Sequence, residues 1–178
     1  VARSRTNKLA DLAERMWHRR AYERFIVETV VPFIYADCHT PGIPIAAVGI
    51  SVGALLAVNF ALKRPEIFQR AFGLSGRYDA LTFTHGAYND DLYFNNPLAY
   101  VPGLSGPALD HVRRHTHITL VCGRGRSEDG NTEETMRLGD LLKEKGIPSD
   151  IDIWGYDSHH QWPYWKLQTM KHFGRVYG

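Results

Sequence analysis

Four short apolar runs, Ile43 to Val48, Ala71 to Leu74, Ile118 to Cys122 and Ile151 to Trp154, constrain the fold of this 178-residue chain more than any other feature. Each has the length of a buried strand. Helical patterns lie between them: Gly53 to Leu62 is almost wholly apolar and stops at Arg64-Pro65, and Thr132 to Lys145 separates the last two runs. Asn131 is a candidate N-cap for the second of these helices, with Glu134 three residues on and Gly146 then Pro148 beyond its end. Alternating strands and helices predict an α/β chain, a parallel sheet whose strands are joined by crossover helices. Upstream, Leu9, Leu12 and Met16, then Tyr22, Phe25, Ile26, Thr29, Val30, Phe33 and Ile34, recur at three and four and predict two amphipathic helices. Pro32 interrupts the second near its end, and Pro41-Gly42 turns the chain into the first strand. Residues 77–115 fit neither period and carry Tyr88, Tyr93, Phe94 and Tyr100, which predicts an ordered insertion or cap over the site. The length suits one domain, spanning residues 1–178.

Several function classes are disfavoured by composition. Apolar residues make up 44% and charged residues 22%, an ordinary globular mixture. The net charge of +2 is too small to imply nucleic acid or an anionic membrane, and the basic cluster Arg3 to Lys8 plus His18 to Arg20 reads as a solvated helix face. Cys38 and Cys122 are the only cysteines, too few for a disulfide framework, and Cys122 closes an apolar run as a buried thiol would. No stretch approaches the roughly 20 apolar residues of a membrane span, and the N-terminal residues lack the apolar core of a signal peptide. A soluble, cytoplasmic protein is expected, although a leader could have been removed.

Gly49-Ile50-Ser51-Val52-Gly53 matches G-x-S-x-G and falls between a predicted strand and a predicted helix, the context that gives the motif meaning. A serine on such a sharp turn stands above the sheet edge, with glycines two residues to either side leaving room for the turn. The amide of Val52, at the positive end of the following helix, then points where an oxyanion forms. A phosphate-binding loop is excluded at this turn, which lacks a third glycine and a phosphate-cradling lysine.

A serine nucleophile of this architecture needs an acid later in the chain and a histidine after the last strand. His39 precedes Ser51, His85, His111, His115 and His117 fall before the third strand's end, and His172 lies in the terminal helix. That leaves His159 and His160, in the loop after the fourth strand. No carboxylate or cysteine set at ligand spacing accompanies them, so no metal is expected. The acid should lie in Gly123 to Asp129, where Glu128 is favoured over Asp129; Asp79, after the second strand, is the outside candidate.

With these residues identified, the chain resembles the esterase D-like family of α/β-hydrolases, which also includes feruloyl esterases and mycolyltransferases. Tyr22-Glu23-Arg24-Phe25 leading into Val31-Pro32-Phe33, the Ser51 motif, Tyr93-Phe94-Asn95-Asn96-Pro97, Gly123 to Asp129 and His160-Gln161-Trp162-Pro163-Tyr164-Trp165 carry the resemblance over nearly the whole chain. The last segment is similar to the family's His-Asp-Trp-Pro ending, which selects His160 over His159; Gln161 departs from the expected acid. The resemblance implies an α/β-hydrolase-type sheet and acyl-ester chemistry without a metal or organic cofactor, through an acyl-enzyme on Ser51. Tyr93, Asn95 and Trp162 are expected to touch the substrate, a small ester, with Tyr88, Phe94 and Trp165 adding to an apolar or aromatic wall.

Only two helices and one strand precede Ser51, whereas a complete fold of this kind has several strands there, one of which leads into a loop carrying the second oxyanion donor. The expectation is an N-terminally incomplete polypeptide, weakly active or inactive alone. The free, apolar edge of its first strand would be covered by a second copy, a compensating helix or the missing segment. The competing reading is a non-catalytic α/β-hydrolase relative acting as a binding or structural module.

Overall fold

A computed structural model of the chain describes residues 5–84 and 86–178; Arg3 of the basic cluster and His85 lie outside the described residues. The chain divides into two compact units, residues 1–43 with 80–95, and residues 44–79 with 96–178.

In the first unit, helix α1 (Arg5–Phe25), a π-helical segment (Ile26–Val30) and α2 (Val31–Asp37) form an almost unbroken helical run where two separate helices were predicted. Pro32 has no N–H to donate, but it does not break the helix. The π turn shifts the hydrogen-bond step, with the Val31 amide donating to Ile26 O, and places Pro32 in the first turn of α2, where a missing donor costs nothing. Residues 80–95 add a 3₁₀ turn (Ala80–Phe83) and the short α4 (Asp90–Tyr93), whose N-cap Asn89 accepts from the Leu92 amide at 2.8 Å. Arg15 Nη1 donates to Phe83 O at 2.8 Å, and Arg20 pairs with Asp91.

The second unit holds the sheet. Strands β1 (Ile45–Ile50), β2 (Phe68–Leu74), β3 (His117–Cys122) and β4 (Ser149–Ile153) are all parallel, in the order β1-β2-β3-β4. Helix α3 (Val52–Lys63) joins β1 to β2 and α7 (Asn131–Glu144) joins β3 to β4, as the alternating pattern requires. β1 runs two residues further than its apolar core suggested and ends immediately before Ser51.

Side chains alternate between the two faces of a strand, and the neighbours of β2 identify both. A Cβ on Gly73 would meet Ala54 of α3 at 3.4 Å, whereas the Phe72 ring packs on Phe173 of α8 (Trp162–Tyr177) with centroids 4.6 Å apart. Gly73, Leu120 and Ile151 share one register line, and Ile151 lies against Gly139 of α7. Helices α3 and α7 therefore cover one face and α8 the other. Burial on both faces explains why β2 and β3 read as continuous apolar runs. Among the described residues β1 pairs with β2 alone, so it is an edge strand, and Val48 on it is 47% exposed.

The segment between β2 and β3 is more regular than its sequence suggested. Besides α5 (Pro97–Tyr100) and a 3₁₀ turn (Val101–Gly103), it contains the ten-residue helix α6 (Gly106–His115), with Pro107 in the first turn and Leu109 and Val112 buried. The N-cap of α7 also differs from expectation. Gly130, with φ +77°, occupies that position, and Glu134 makes no capping box. Instead, buried Glu134 accepts from the Tyr78 and Asp79 amides at 2.6 and 2.8 Å and pairs with Arg77 at 2.9 Å, tying down the turn after β2.

Candidate active site

All four strands run in one direction, so the segments that follow them gather at the carboxyl edge of the sheet. Ser51 follows β1, Ser75 follows β2, the loop 123–130 follows β3 and the loop 154–161 follows β4. The Ser51 amide donates to Leu74 O at 2.9 Å, the Ser75 amide to Val121 O at 2.7 Å and the Trp154 amide to Cys122 O at 2.8 Å, which carries the ladder to its end.

Ser51 has φ 56° and ψ −119°, outside the regions that a side-chain-bearing residue adopts without strain. The two motif glycines contribute unequally to this turn. A Cβ on Gly49 would lie 1.9 Å from Gly53 O, so no larger residue fits there, whereas a Cβ on Gly53 would meet nothing within 4 Å. The turn needs Gly49; the expectation that both glycines make room holds for that one alone. Val52 is the first residue of α3, whose N-terminus the Ser51 side chain does not cap, and the first amides of a helix have no partner within it.

The β3 and β4 loops zip together. Arg124 and Gly125 amides donate to Gly155 O and Ser158 O at 3.1 and 2.8 Å, and the His160 amide donates to Arg126 O at 3.1 Å. Glycine permits this approach. A Cβ on Gly123 would stand 2.1 Å from Ser158 O, and one on Gly125 would stand 2.0 Å from His159 Nδ1.

The zipped loops separate the two histidines. Nδ1 of His159 accepts the Arg126 amide at 2.9 Å, which makes that ring part of the loop's scaffold. Nδ1 of His160 lies 3.2 Å from Glu128 Oε2. Asn131 Nδ2 stands at the same 3.2 Å from this Nδ1. In the tautomer that donates to the Glu128 carboxylate, which can only accept, the proton sits on Nδ1 and the Nε2 lone pair is left available. Of the three acid candidates, Glu128 alone faces a histidine of this loop. It is 1% exposed. Asp129 is exposed and offers its backbone carbonyl to Arg77 at 3.1 Å, and Asp79 Oδ1 accepts from Asn96 Nδ2 at 2.8 Å.

A buried carboxylate needs donors to remain charged. Ser75 Oγ donates to Glu128 Oε1 at 2.5 Å, and Asn131 Nδ2 and Cys122 Sγ reach Oε2 at 2.9 and 3.6 Å. Trp165 Nε1 in turn donates to Ser75 Oγ at 2.9 Å, and the Trp165 ring stands edge-on to His160, centroids 4.9 Å apart. Burial, and next the negative charge of Glu128, push the Cys122 thiol up to about 12, so it serves as an S–H donor and never as a thiolate near neutrality. Sequence reasoning did not find Ser75 and considered Asn131 only as a cap. The signal for Asn131 was its place three residues after Glu128; that for Ser75 was its place at a strand end, which alone does not separate it from other strand-end serines.

Trp162 is 64% exposed at the start of α8, with its ring 5.5 Å from that of Trp165. Tyr93 and Asn95 belong to the first unit, where Asn95 Nδ2 donates to Asp91 O at 2.8 Å and ties the end of α4. Among the described residues, no group of three or more His, Cys, Asp or Glu side chains is placed to hold a metal ion, and no helix is long and apolar enough to cross a membrane.

The profile of the family described as Putative esterase matches residues 7–175. The chain belongs to that family. Solved structures agree with this esterase membership at the level of fold. A ferulic acid esterase superposes with a TM-score of 0.67 at 17% identity, covering 84% of this chain and 58% of that one. The S-formylglutathione hydrolase of Staphylococcus aureus gives 0.61 at 18% identity, covering 87% and 61%. A fluorophosphonate-binding serine hydrolase of the same organism gives 0.58 at 18% identity, covering 86% and 62%. The fold is that of the α/β-hydrolases, and the chain spans under two thirds of the length of these structures. No curated protein is similar enough to this chain to match it.

Proposed function

We propose that this esterase-family chain carries the catalytic triad of a serine hydrolase acting on carboxylic esters, with Ser51 as nucleophile, His160 as general base and Glu128 as the acid that orients it. The observation that carries the reading is the Glu128–His160 contact at the same sheet edge as the strained Ser51 turn. His160 Nε2 takes the Ser51 hydroxyl proton as Oγ bonds to the acyl carbon, and the same proton passes to the leaving alkoxide as the ester C–O bond breaks. Water then attacks the acyl-enzyme, gives a proton to His160, and releases the acid with Ser51 restored. Glu128 stays charged throughout and stabilises the imidazolium.

The Val52 amide supplies one oxyanion donor at the positive end of α3. Trp162, exposed next to Trp165, whose ring stands edge-on to His160, is the proposed substrate contact of this unit. The reaction calls for no metal or organic cofactor. Hydrolysis of p-nitrophenyl acetate and butyrate by the purified chain tests the reading. Turnover that disappears in both Ser51→Ala and His160→Ala supports it; turnover retained in either, or none from a folded sample, counts against it.

A further inference from the structure

We infer that the amino end of the sheet, opposite the Ser51 edge, is a binding site for a small phosphate-bearing ligand. Two cavities open there, of about 480 and 270 Å³, and they share Arg70 and His117 in their walls. The two residues face each other in the β2–β3 register, at the starts of their strands. Ser51 lies beyond the other end of the sheet. Strands of six residues separate the two ends by roughly 15–20 Å, so these cavities are not part of the esterase site.

Charge decides what the cavities would hold. Arg70, Arg113, Arg114 and Arg175 line them, against the single carboxylate of Asp150. Asp150 is already matched by His117 at 3.0 Å. Arg113 is partly committed, to Lys145 O at 2.7 Å and Asp110 at 3.2 Å. Among the described residues the guanidinium groups of Arg70, Arg114 and Arg175 have no carboxylate partner. A chain whose net charge is only +2 thus gathers several guanidinium groups without carboxylate partners around one opening. Arg114 and Arg175 stand in the last turns of α6 and α8, whose carbonyl ends offset part of their charge, and an anion entering the opening would meet the remainder.

Guanidinium forks pair two N–H groups with two oxygens of an anion, and a phosphate presents enough oxygens for more than one fork. A lone carboxylate would leave most of the cations unmatched. The larger cavity falls within the roughly 300–1,000 Å³ range of small-molecule sites, which favours a phosphorylated organic molecule over a polymer lying on an open surface. The phosphate-loop chemistry excluded at the Ser51 turn plays no part here, because the binding groups are arginine side chains.

Calorimetric titration of the whole chain with pyrophosphate and with glycerol 3-phosphate, at ionic strength near 0.1 M, tests the inference. Saturable binding of both is expected, weakened tenfold or more in Arg70→Gln/Arg114→Gln and unchanged in Ser51→Ala and in Arg137→Gln, an exposed arginine of α7. Arg114→Gln/Arg175→Gln, confined to exposed side chains, gives the same loss if the half-buried Arg70 proves necessary for folding. No binding, or a loss no larger than that in Arg137→Gln, overturns the inference. Because these readouts do not involve ester turnover, their failure and that of the esterase reading are distinguishable.

Discussion

Ser51 and Ser75 follow neighbouring parallel strands with similar positive φ, 56° and 49°, and yet their side chains meet different surroundings. The element entered after each serine makes the difference. After Ser51 the chain enters α3 directly, so the hydroxyl stands beside uncapped helix amides on a half-buried turn. After Ser75 it turns through Gly76 into a segment held by Glu134, so the hydroxyl is fully buried between Trp165 Nε1 and Glu128 Oε1. A positive φ therefore marks where a strand end is forced into a sharp turn. The next element of the chain determines whether the side chain is left on a half-buried helix start or enclosed against an internal carboxylate.

Substitutions can break or sharpen that contrast. The largest effect is expected from Ser51→Ala, which should reduce ester turnover to background; loss of the nucleophile costs on the order of 10⁶ in kcat in a complete serine hydrolase. Urea unfolding should show Ser51→Ala no less stable than the parent, since the strained turn makes no side-chain cap. Glu128→Gln comes next, lowering kcat by roughly 10³ to 10⁴ by disturbing the His160 tautomer, with KM little changed.

Ser75→Ala should act through Glu128 and not on the substrate. It leaves Glu128 Oε1 and Trp165 Nε1 without a partner, so a loss of about 1–3 kcal/mol in stability is expected, with roughly tenfold lower kcat and an unchanged KM. A Ser75→Ala protein as inactive as Ser51→Ala, yet equally stable, would erase the proposed distinction. The smallest effect is expected at Asp129, exposed beside the buried acid: Asp129→Asn should leave kcat/KM within about a factor of two and stability within about 0.5 kcal/mol.

Much of this arrangement was legible in the residues. β2 and β3 are visible because burial on both faces leaves them largely apolar, and the Gly49 to Gly53 motif marks the turn because Gly49 admits no side chain. Glu128 and His160 follow from chain order together with the ending His160 to Trp165. The less legible parts depend on contacts distant in sequence. Glu134 reads as a capping residue of its own helix, but the buried amides of Tyr78 and Asp79 compete for it more strongly. α6 is hidden by its start, because Gly106-Pro107 resembles a loop and only Leu109 and Val112 among its residues are buried. The arginine-lined cavities are hidden by averaging: a net charge of +2 conceals cations that the fold collects from β2, α6 and α8.

The most direct test of the central claim is labelling with a fluorophosphonate, followed by mass spectrometry of the modified peptide. The account predicts one covalent adduct, on Ser51, abolished in Ser51→Ala and strongly slowed in His160→Ala, with Ser75 unmodified. A folded protein that takes no label, or an adduct that persists in Ser51→Ala, would contradict it.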